Sequence, residues 1–420
     1  MPVQSGRAAM RSASTKSKDC DIGHVTQEAR LLLACSRTSM SDAARSQILN
    51  LATTIDSWRA VVELARYHGV APLMYRALRL VCPDLVPKEP LDALRSLTQA
   101  GALLNRSLAQ ELIHLCQAFD EQSVPVIPFK GATLAVAAYG DLALRDFDDL
   151  DFIVPKERAS DAQQVLWAQG YRPRDRSHGP MHAEEPYHVF VKKQSLLRID
   201  LQWTMAHERF SFRLDRPEIW DHLLPVSIGG VQIRALAPEE LLIVLCVHGS
   251  KHAWEQLKWV ADVSELLRSH RVDWRRVFAV AKKWKCRRML VLGLMVAYRL
   301  LDAPLPGSVV AGLAREGEVA ALAGRMPKSL LTRPQEGIDD QDNAALYLSL
   351  KDSRWNRWNF GLTLLRDDHP VVHDPPAWLR AGSSLTILAG IFQPLRRCAA
   401  QSRHVKRLLR AVGRLHEHAP

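Results

Sequence analysis

The spacing of apolar positions divides the chain into helical and mixed regions. From Gln27 to Phe119 apolar residues recur mostly at three- and four-residue intervals, which is typical of amphipathic helices. Between residues 124 and 203 short β-branched runs replace that spacing, and helical spacing returns after Pro238. The pattern therefore predicts a small α/β module inside an otherwise helical protein.

The order of elements in this module can be predicted from the same pattern. The second helix ends at Gly170, because glycine is the usual residue after a helix C-terminus. Two later strands flank a short polar turn and form a hairpin. The predicted order is strand 124–129, helix 132–139, strand 149–154, helix 156–169, and hairpin strands 187–192 and 196–203.

These elements predict an α+β fold in five segments. The N-terminal segment is rich in Ser, Arg, Lys and Ala, and a segment with so little to bury is expected to stay disordered. The segments are a disordered tail (1–22), an N-terminal helical region (23–120), the α/β core (121–235), a helical region closing a cleft (236–330), and a linker with a basic helical C-terminus (331–420).

Composition and charge exclude several classes of protein. Hydrophobic residues make up 47% of the chain and charged residues 24%, and the net charge of +11 favours polyanionic partners. The seven cysteines are scattered with no C-x-x-C pair, so neither a disulfide framework nor a clustered zinc site is expected. No apolar run approaches the roughly 18 residues of a membrane span, and no secretory signal is evident. We expect a cytoplasmic protein.

The most informative stretch is an acidic run that leads into the strand at 149–154. Asp149 and Asp151 are two residues apart, so in a strand their side chains lie on the same face. Two adjacent carboxylates repel each other unless a cation lies between them, and Mg²⁺ prefers oxygen ligands. The alternative is an acidic loop that simply precedes a strand.

A third acid lies on a later strand. Asp200 stands between apolar Ile199 and Leu201, so its side chain is expected on the opposite, polar face together with Arg198 and Gln202. If the two acidic strands are neighbours in one sheet, the three carboxylates converge. If Asp200 instead forms a structural pair with Arg198 or a nearby lysine, it should point away from the other two.

Taken together, these residues resemble a known family. The order of the Lys130-Gly131 turn, the Asp-x-Asp strand and the third acid resembles the polymerase-β-type nucleotidyltransferase core. More narrowly, the chain from about residue 28 resembles the bacterial uncharacterised nucleotidyltransferases. The runs that carry this resemblance are PFKGATLAVAAYGDLALRDFDDLDFIV, GYRP, RIDLQW and HGSKHAWEQLKWVADVSELL.

The resemblance implies a small mixed β-sheet nucleotidyltransferase core embedded in helical regions. It implies that Asp149, Asp151 and Asp200 are catalytic and bind Mg²⁺ or Mn²⁺, and that the Lys130-Gly131 turn contacts a nucleoside triphosphate. The superfamily's usual Gly-Ser is absent from this turn, so Lys130 is expected to supply a point charge instead of a hydroxyl. The family's frequent histidine two residues after the third acid is here Gln202.

Further nucleotide-binding candidates lie on either side of the module. Arg145 precedes the acids, and either pairs with phosphate or forms an ion pair with a neighbouring acid, Asp146 or Asp148. A polar stripe is predicted on one side of a single helix. It is either a solvated or mutually paired surface, or a surface that faces the module across a cleft. On the second interpretation Lys251 and the histidines hold the triphosphate or base, and Asp262 orients Lys251 or contacts the ribose. The stripe comprises His248, Lys251, His252, Glu255, Trp259 and Asp262.

The sequence therefore predicts an NTP-dependent, pyrophosphate-releasing nucleotidyltransferase. The acceptor is left open among a small molecule, a protein hydroxyl and an RNA end. The alternative is a non-catalytic basic binding or scaffold protein that keeps the fold. A basic amphipathic helix near the C-terminus is expected to dock on its own protein, with nucleic acid or an anionic membrane surface as the second choice.

Overall fold

The computed structural model describes most of the chain between residues 25 and 352. The predicted tail at 1–22 and nearly all of the predicted C-terminal region at 331–420 lie outside the described residues. The described ranges are 25–174, 187–192, 197–203, 217–331, 346 and 349–352.

Five helices form the N-terminal region, as the apolar spacing predicted. Three of them begin at a Ser or Thr side chain, Thr26, Ser41 and Ser57, that accepts a hydrogen bond from a first-turn backbone N–H. The last helix has 34 residues and is the longest in the described part of the chain. The helices are α1 (Gln27–Cys35), α2 (Asp42–Ala52), α3 (Trp58–Tyr67), α4 (Ala71–Val81) and α5 (Lys88–Glu121).

A five-stranded mixed sheet follows. Strand order is β1-β2-β5-β4-β3, with β2 and β5 parallel and the other neighbouring pairs antiparallel. The chain is thus α+β with a small mixed sheet between helical regions, which confirms the predicted fold class. The strands are β1 (Ile127–Pro128), β2 (Asp149–Ile153), β3 (Tyr171–Pro173), β4 (Tyr187–Lys192) and β5 (Arg198–Gln202).

The connections within the module are mostly those predicted. The predicted helix after β1 begins as α6 (Gly131–Leu134) and continues as a π-helical turn (Ala135–Tyr139). The helix between β2 and β3 is α7 (Ala159–Ala168), preceded by a 3₁₀ turn, and Gly170 follows it with a left-handed φ of 84°.

A second hairpin was not predicted. Strands β6 (Leu223–Ile228) and β7 (Val231–Leu236) pair around Gly229 and Gly230, whose φ angles are 58° and 85°. Two successive residues with positive φ match the turn type that suits a two-residue hairpin loop. The short helix α8 (Pro217–Trp220) precedes this hairpin.

Within the described residues, six helices follow the hairpin, and one break among them corrects a sequence prediction. The polar stripe does not lie on one helix, because the first helix ends at Lys251 and the next begins at Leu257. Ala253 and Trp254 between them have left-handed φ angles of 49° and 57°. The helices are α9 (Pro238–Lys251), α10 (Leu257–Ser269), α11 (Trp274–Lys283), α12 (Arg287–Leu301), α13 (Gly307–Ala314) and α14 (Gly317–Leu331).

Packing of Trp254 explains this break. The indole is fully buried and lies against Gly249 of α9 and Gly293 of α12, where an added Cβ would stand 2.5 Å and 3.0 Å from ring carbons of Trp254. Burial of a whole indole offsets the cost of left-handed backbone, which is of order 1–3 kcal/mol per strained residue. The chain therefore turns between α9 and α10.

Helix α5 joins two hydrophobic cores. Leu94 in its N-terminal half belongs to a core shared with α1–α4 and α9–α14, whereas Leu108, Leu112 and Phe119 in its C-terminal half pack against the sheet. The sheet is therefore fixed on a helix that is itself anchored in the helical region. None of the helices in the described ranges is long and apolar enough to cross a membrane.

Candidate active site

Strands β2 and β5 bring three carboxylates together. They pair in parallel with Asp151 directly opposite Asp200 and Asp149 opposite Arg198. One ligand atom from each of Asp149, Asp151 and Asp200 can be chosen so that all three lie within 4.8 Å of one another. The convergence expected from alternation along two neighbouring strands is observed, and we call these three residues the acid cluster.

Asp151 is the most buried member of the acid cluster, with 4% of its surface exposed. Its Oδ1 lies 3.0 Å from Lys130 Nζ and accepts a hydrogen bond of 3.0 Å from Gln202 Nε2, while its buried Oδ2 has no hydrogen-bond partner. Burial raises the pKa of Asp151, against the opposing effect of Lys130. A buried carboxylate oxygen without a donor fits a site that takes a cation.

The other two acids respond differently to the same surroundings. Burial, reinforced by Asp151 and Asp149, raises the pKa of Asp200 to about 7. Burial also acts to raise the pKa of Asp149, but Lys130 and Arg198 outweigh it and leave that pKa below its ordinary value. Three close carboxylates repel one another, and oxygen donors in this arrangement fit Mg²⁺ or Mn²⁺.

The Lys130-Gly131 turn lies directly beside the acid cluster. Gly131 has a φ of 55°, and a Cβ there would stand 3.4 Å from the backbone oxygen of Asp149 and from the ring of Phe147. The left-handed backbone therefore favours glycine at this position, where a larger residue would also stand in contact with β2. Thr133 Oγ1 donates a 2.8 Å hydrogen bond to the Lys130 carbonyl, which fixes the turn that carries the ammonium.

Arg145 has a different partner from those considered in the sequence analysis. Its guanidinium donates to both carboxylate oxygens of Asp262 on α10, Nε at 2.7 Å and an η nitrogen at 2.9 Å. Tyr139 Oη donates a further 2.7 Å hydrogen bond to Asp262. Asp262 is 1% exposed, and both of its carboxylate oxygens accept hydrogen bonds from these two side chains.

The Arg145–Asp262 pair has a structural effect on the acid cluster. It ties the segment just before β2 to α10, and Asn105 of α5 holds the same segment by donating to the carbonyls of Leu142 and Arg145 at 2.6 Å and 2.8 Å. The start of the acidic strand is thereby fixed from both helical sides. Asn105 was not predicted as a relevant residue, because its partners are distant in sequence.

The histidines of the broken stripe nevertheless lie together with Trp259. The rings of His252 and Trp259 stack with centroids 5.0 Å apart and an interplanar angle of 29°, and the His248 ring meets both edge-on. Burial lowers the pKa of His252 to about 3, with Lys251 and Lys130 adding to the shift. These imidazoles are therefore neutral near pH 7.

Lys251 lies close to the acid cluster. Burial lowers its pKa and Lys130 lowers it further, whereas Asp151 and Asp200 act to raise it. The ammonium is thus within electrostatic range of two members of the cluster.

From the sequence, Arg198 was expected either on the same polar face as Asp200 or as a structural partner of Asp200. In the structure it donates a hydrogen bond to Asp149 and its Nε lies 3.4 Å from Asp200 Oδ1, so it contacts two of the three acids. Asp200 thus pairs with Arg198 and still faces the other carboxylates, a combination that the sequence analysis treated as exclusive alternatives. The sequence feature that indicates this contact is the position of Arg198 two residues before Asp200, which places both side chains on the same face of the strand.

Comparisons with known proteins place this site in a family. A family model described as uncharacterised nucleotidyltransferase matches residues 55–302, more than half of the chain. The chain therefore belongs to the uncharacterised nucleotidyltransferase family, as its motifs predicted. A search of curated proteins finds no match.

One similar solved structure is the solution structure of the antibiotic-resistance factor ANT(2'')-Ia. It is 18% identical in sequence, with a TM-score of 0.31, and the similarity covers 42% of this chain and 91% of that chain.

Proposed function

We propose that the protein is a metal-dependent nucleotidyltransferase that moves a nucleoside monophosphate from a nucleoside triphosphate to an acceptor and releases pyrophosphate. Family membership supports nucleotidyl transfer in general. The observation that carries the proposal is the acid cluster, with ligand atoms within 4.8 Å and one buried oxygen of Asp151 left without a hydrogen bond.

Asp149, Asp151 and Asp200 are the proposed holders of Mg²⁺ or Mn²⁺. When bound, a pair of divalent ions stabilises the negative charge on the attacking and leaving oxygens of an in-line displacement at phosphorus. Gln202 orients Asp151 through the hydrogen bond to its Oδ1. Asp200, whose side chain is 20% exposed, is the proposed partner of the acceptor hydroxyl.

Cationic side chains near the cluster are the proposed binding groups for the triphosphate. Lys130 Nζ lies 3.0 Å from Asp151, so its ammonium would be available to a phosphate bound beside the acid cluster. Lys251 approaches the cluster from α9. Arg145 is assigned here to positioning β2 through Asp262, because both partners are buried and their hydrogen bonds are directed at each other.

The stacked rings of His252 and Trp259 are the proposed contact for the base. Neutral imidazoles lack the charge that phosphate binding uses, whereas flat aromatic surfaces stack on nucleobases. His252 and Trp259 are half-buried, so both rings are partly accessible to solvent. Of the two roles left open for His252, contact with the triphosphate or with the base, we therefore propose contact with the base.

The proposed acceptor is a small molecule, a protein hydroxyl or an RNA end. The proposed cytoplasmic location stays a prediction. The contact of the predicted basic C-terminal helix with an anionic surface also stays a prediction, because that segment lies outside the described residues.

The test is label transfer from each of the four nucleoside triphosphates, radiolabelled at the α-phosphate, to small-molecule, protein and RNA fractions of a cell extract. We expect one fraction to take the label only when Mg²⁺ or Mn²⁺ is present. Asp149→Asn should lose this transfer, and Asp161→Asn, which alters an exposed acid paired with Arg158 on α7, should keep it. Absence of both transfer and metal-dependent nucleotide binding would instead favour the scaffold alternative.

A further inference from the structure

Arg198 lies between two carboxylates that are proposed to hold metal ions. It donates a hydrogen bond to Asp149, while its Nε stands 3.4 Å from Asp200 Oδ1 without forming a hydrogen bond. Both that Nε and Asp200 Oδ1 are buried atoms with unused hydrogen-bonding capacity. The contact between Arg198 and Asp200 is thus an ion pair without a hydrogen bond.

The charges around the acid cluster are partly offset from within the protein. Lys130 pairs with Asp151, and Arg198 pairs with Asp149 and Asp200. Two cationic side chains therefore contact the three carboxylates. A divalent ion entering alone leaves the site with excess positive charge, whereas an ion entering with a triphosphate brings its own anionic partner.

We propose that Arg198 is the counter-ion that a divalent metal ion displaces from Asp149 and Asp200, and that its released guanidinium then pairs with the triphosphate, so that metal ion and nucleotide bind cooperatively. This inference rests on the proposed function and adds a specific role to it. A planar guanidinium suits such an exchange, since it forms paired hydrogen bonds equally well with carboxylate and phosphate oxygens.

Accessibility distinguishes Arg198 from the other arginine near the cluster. The Arg198 side chain is 34% exposed, so it can leave the acids by rotating toward solvent. Arg145, at 6% exposed, is enclosed and has both carboxylate oxygens of Asp262 as partners. Displacement of Arg198 breaks a partly exposed and incompletely hydrogen-bonded contact, whereas displacement of Arg145 would strand a buried charge.

Cooperative binding can be measured without turnover. Mn²⁺ is titrated into the full chain and the free ion is followed by electron paramagnetic resonance, with and without the four α,β-methylene nucleoside triphosphates, which cannot transfer the nucleotidyl group. Mn²⁺ held by nucleotide alone is subtracted with a protein-free titration. In the wild type we expect nucleotide to tighten Mn²⁺ binding by about tenfold or more, a usual size for coupling between two ligands.

Variants of Arg198 test its role directly. In Arg198→Gln, Mn²⁺ should bind several-fold more tightly than in the wild type when nucleotide is absent, and nucleotide should tighten it much less. Arg198→Lys keeps the positive charge without the planar fork and should give intermediate coupling, and it serves as the second variant if Arg198→Gln does not fold. Arg158→Gln, which removes an arginine paired with Asp161 on α7, should match the wild type.

The outcomes separate this inference from the proposed function. Equal Mn²⁺ affinity with and without nucleotide in the wild type would overturn the coupling, and unchanged coupling in both Arg198 variants would overturn the role of Arg198. Failure of the wild type to bind Mn²⁺ under either condition would overturn the metal site itself, and with it the proposed function.

Discussion

Two groups of buried charges lie close together in this protein and differ in how completely they are bonded. In the Arg145–Asp262 pair, both carboxylate oxygens accept hydrogen bonds from the guanidinium, and Tyr139 adds a third. In the acid cluster, Asp151 Oδ2 and Asp200 Oδ1 have no hydrogen bond although both are buried. A fully bonded buried charge stabilises the fold, whereas incompletely bonded carboxylates next to one another fit a ligand site.

The fully bonded pair also helps to position the acid cluster. The fully bonded pair fixes the segment before β2 on α10, and β2 carries Asp149 and Asp151. Repulsion among the three carboxylates opposes their convergence, so the strand that carries two of them has to be held by contacts elsewhere. We therefore expect changes in the acid cluster to affect activity and changes in the Arg145–Asp262 pair to affect stability first.

The largest expected effect is the loss of transfer in Asp151→Asn. The substitution removes a proposed metal ligand, and we expect activity to fall at least about a thousandfold, more than 4 kcal/mol of transition-state stabilisation. The unfolding midpoint should be unchanged or slightly higher, because burial of the ionised Asp151 is unfavourable and the amide lacks that charge. Label transfer and thermal unfolding measure the two quantities. Near wild-type activity would show that Asp151 holds no metal.

The next largest effect is on stability, in Asp262→Asn. It leaves the buried Arg145 without a charged partner, and we expect the free energy of unfolding to fall by about 3–5 kcal/mol. Urea unfolding provides the measurement. Glu63→Gln, in the exposed Arg59–Glu63 pair, is the control and should change the same quantity by less than about 1 kcal/mol. Equal effects in the two variants would contradict the structural importance of the buried pair.

A smaller effect is expected on nucleotide binding in Lys130→Ala. If the ammonium neutralises phosphate charge, the nucleotide KM should rise by roughly tenfold, equivalent to about 1.4 kcal/mol. Lys156→Ala, a lysine in the 3₁₀ turn after β2, is the control and should leave KM unchanged. Steady-state kinetics with the preferred nucleotide distinguish the two variants. An unchanged KM in Lys130→Ala would show that the Lys130 ammonium pairs with Asp151 and does not bind phosphate.

The smallest effect is expected at His252, and its pH dependence separates base contact from phosphate contact. His252→Gln should weaken nucleotide binding by a few-fold through loss of stacking. A phosphate-binding imidazolium loses its charge as pH rises through about 6.5, so its advantage over glutamine would shrink across that range. Because burial lowers the pKa of His252 to about 3, we expect the ratio of the two affinities to stay constant between about pH 6 and pH 8. A ratio that declines with rising pH would restore the phosphate role.

The sequence was sufficient to predict the acid cluster because its geometry follows from local rules. Alternation along a strand places Asp149 beside Asp151, and neighbouring strands in one sheet bring Asp200 to the same face. The fold class and most of the module's elements follow from the same periodicities. The roles of these residues in catalysis stay predictions.

The features that the sequence did not predict depend on contacts between distant parts of the chain. Lys251 and Asp262 are aligned on an ideal helix, but burial of Trp254 against Gly249 and Gly293 favours a turn between them. The pairing of Arg145 with Asp262 spans 117 residues, and local preference cannot distinguish it from pairing with the adjacent acids. The β6–β7 hairpin was missed although the Gly-Gly turn signal was present.

The central claim is that the acid cluster binds the metal ions that hold the nucleotide. The most direct measurement is a crystal structure with Mn²⁺ and an α,β-methylene nucleoside triphosphate, with manganese located by anomalous scattering. The account predicts manganese at coordination distance, about 2.2 Å, from oxygens of Asp149, Asp151 and Asp200, with triphosphate oxygens completing the coordination. A nucleotide bound elsewhere, or a cluster with Arg198 and Lys130 still paired to the acids and no manganese, would contradict it.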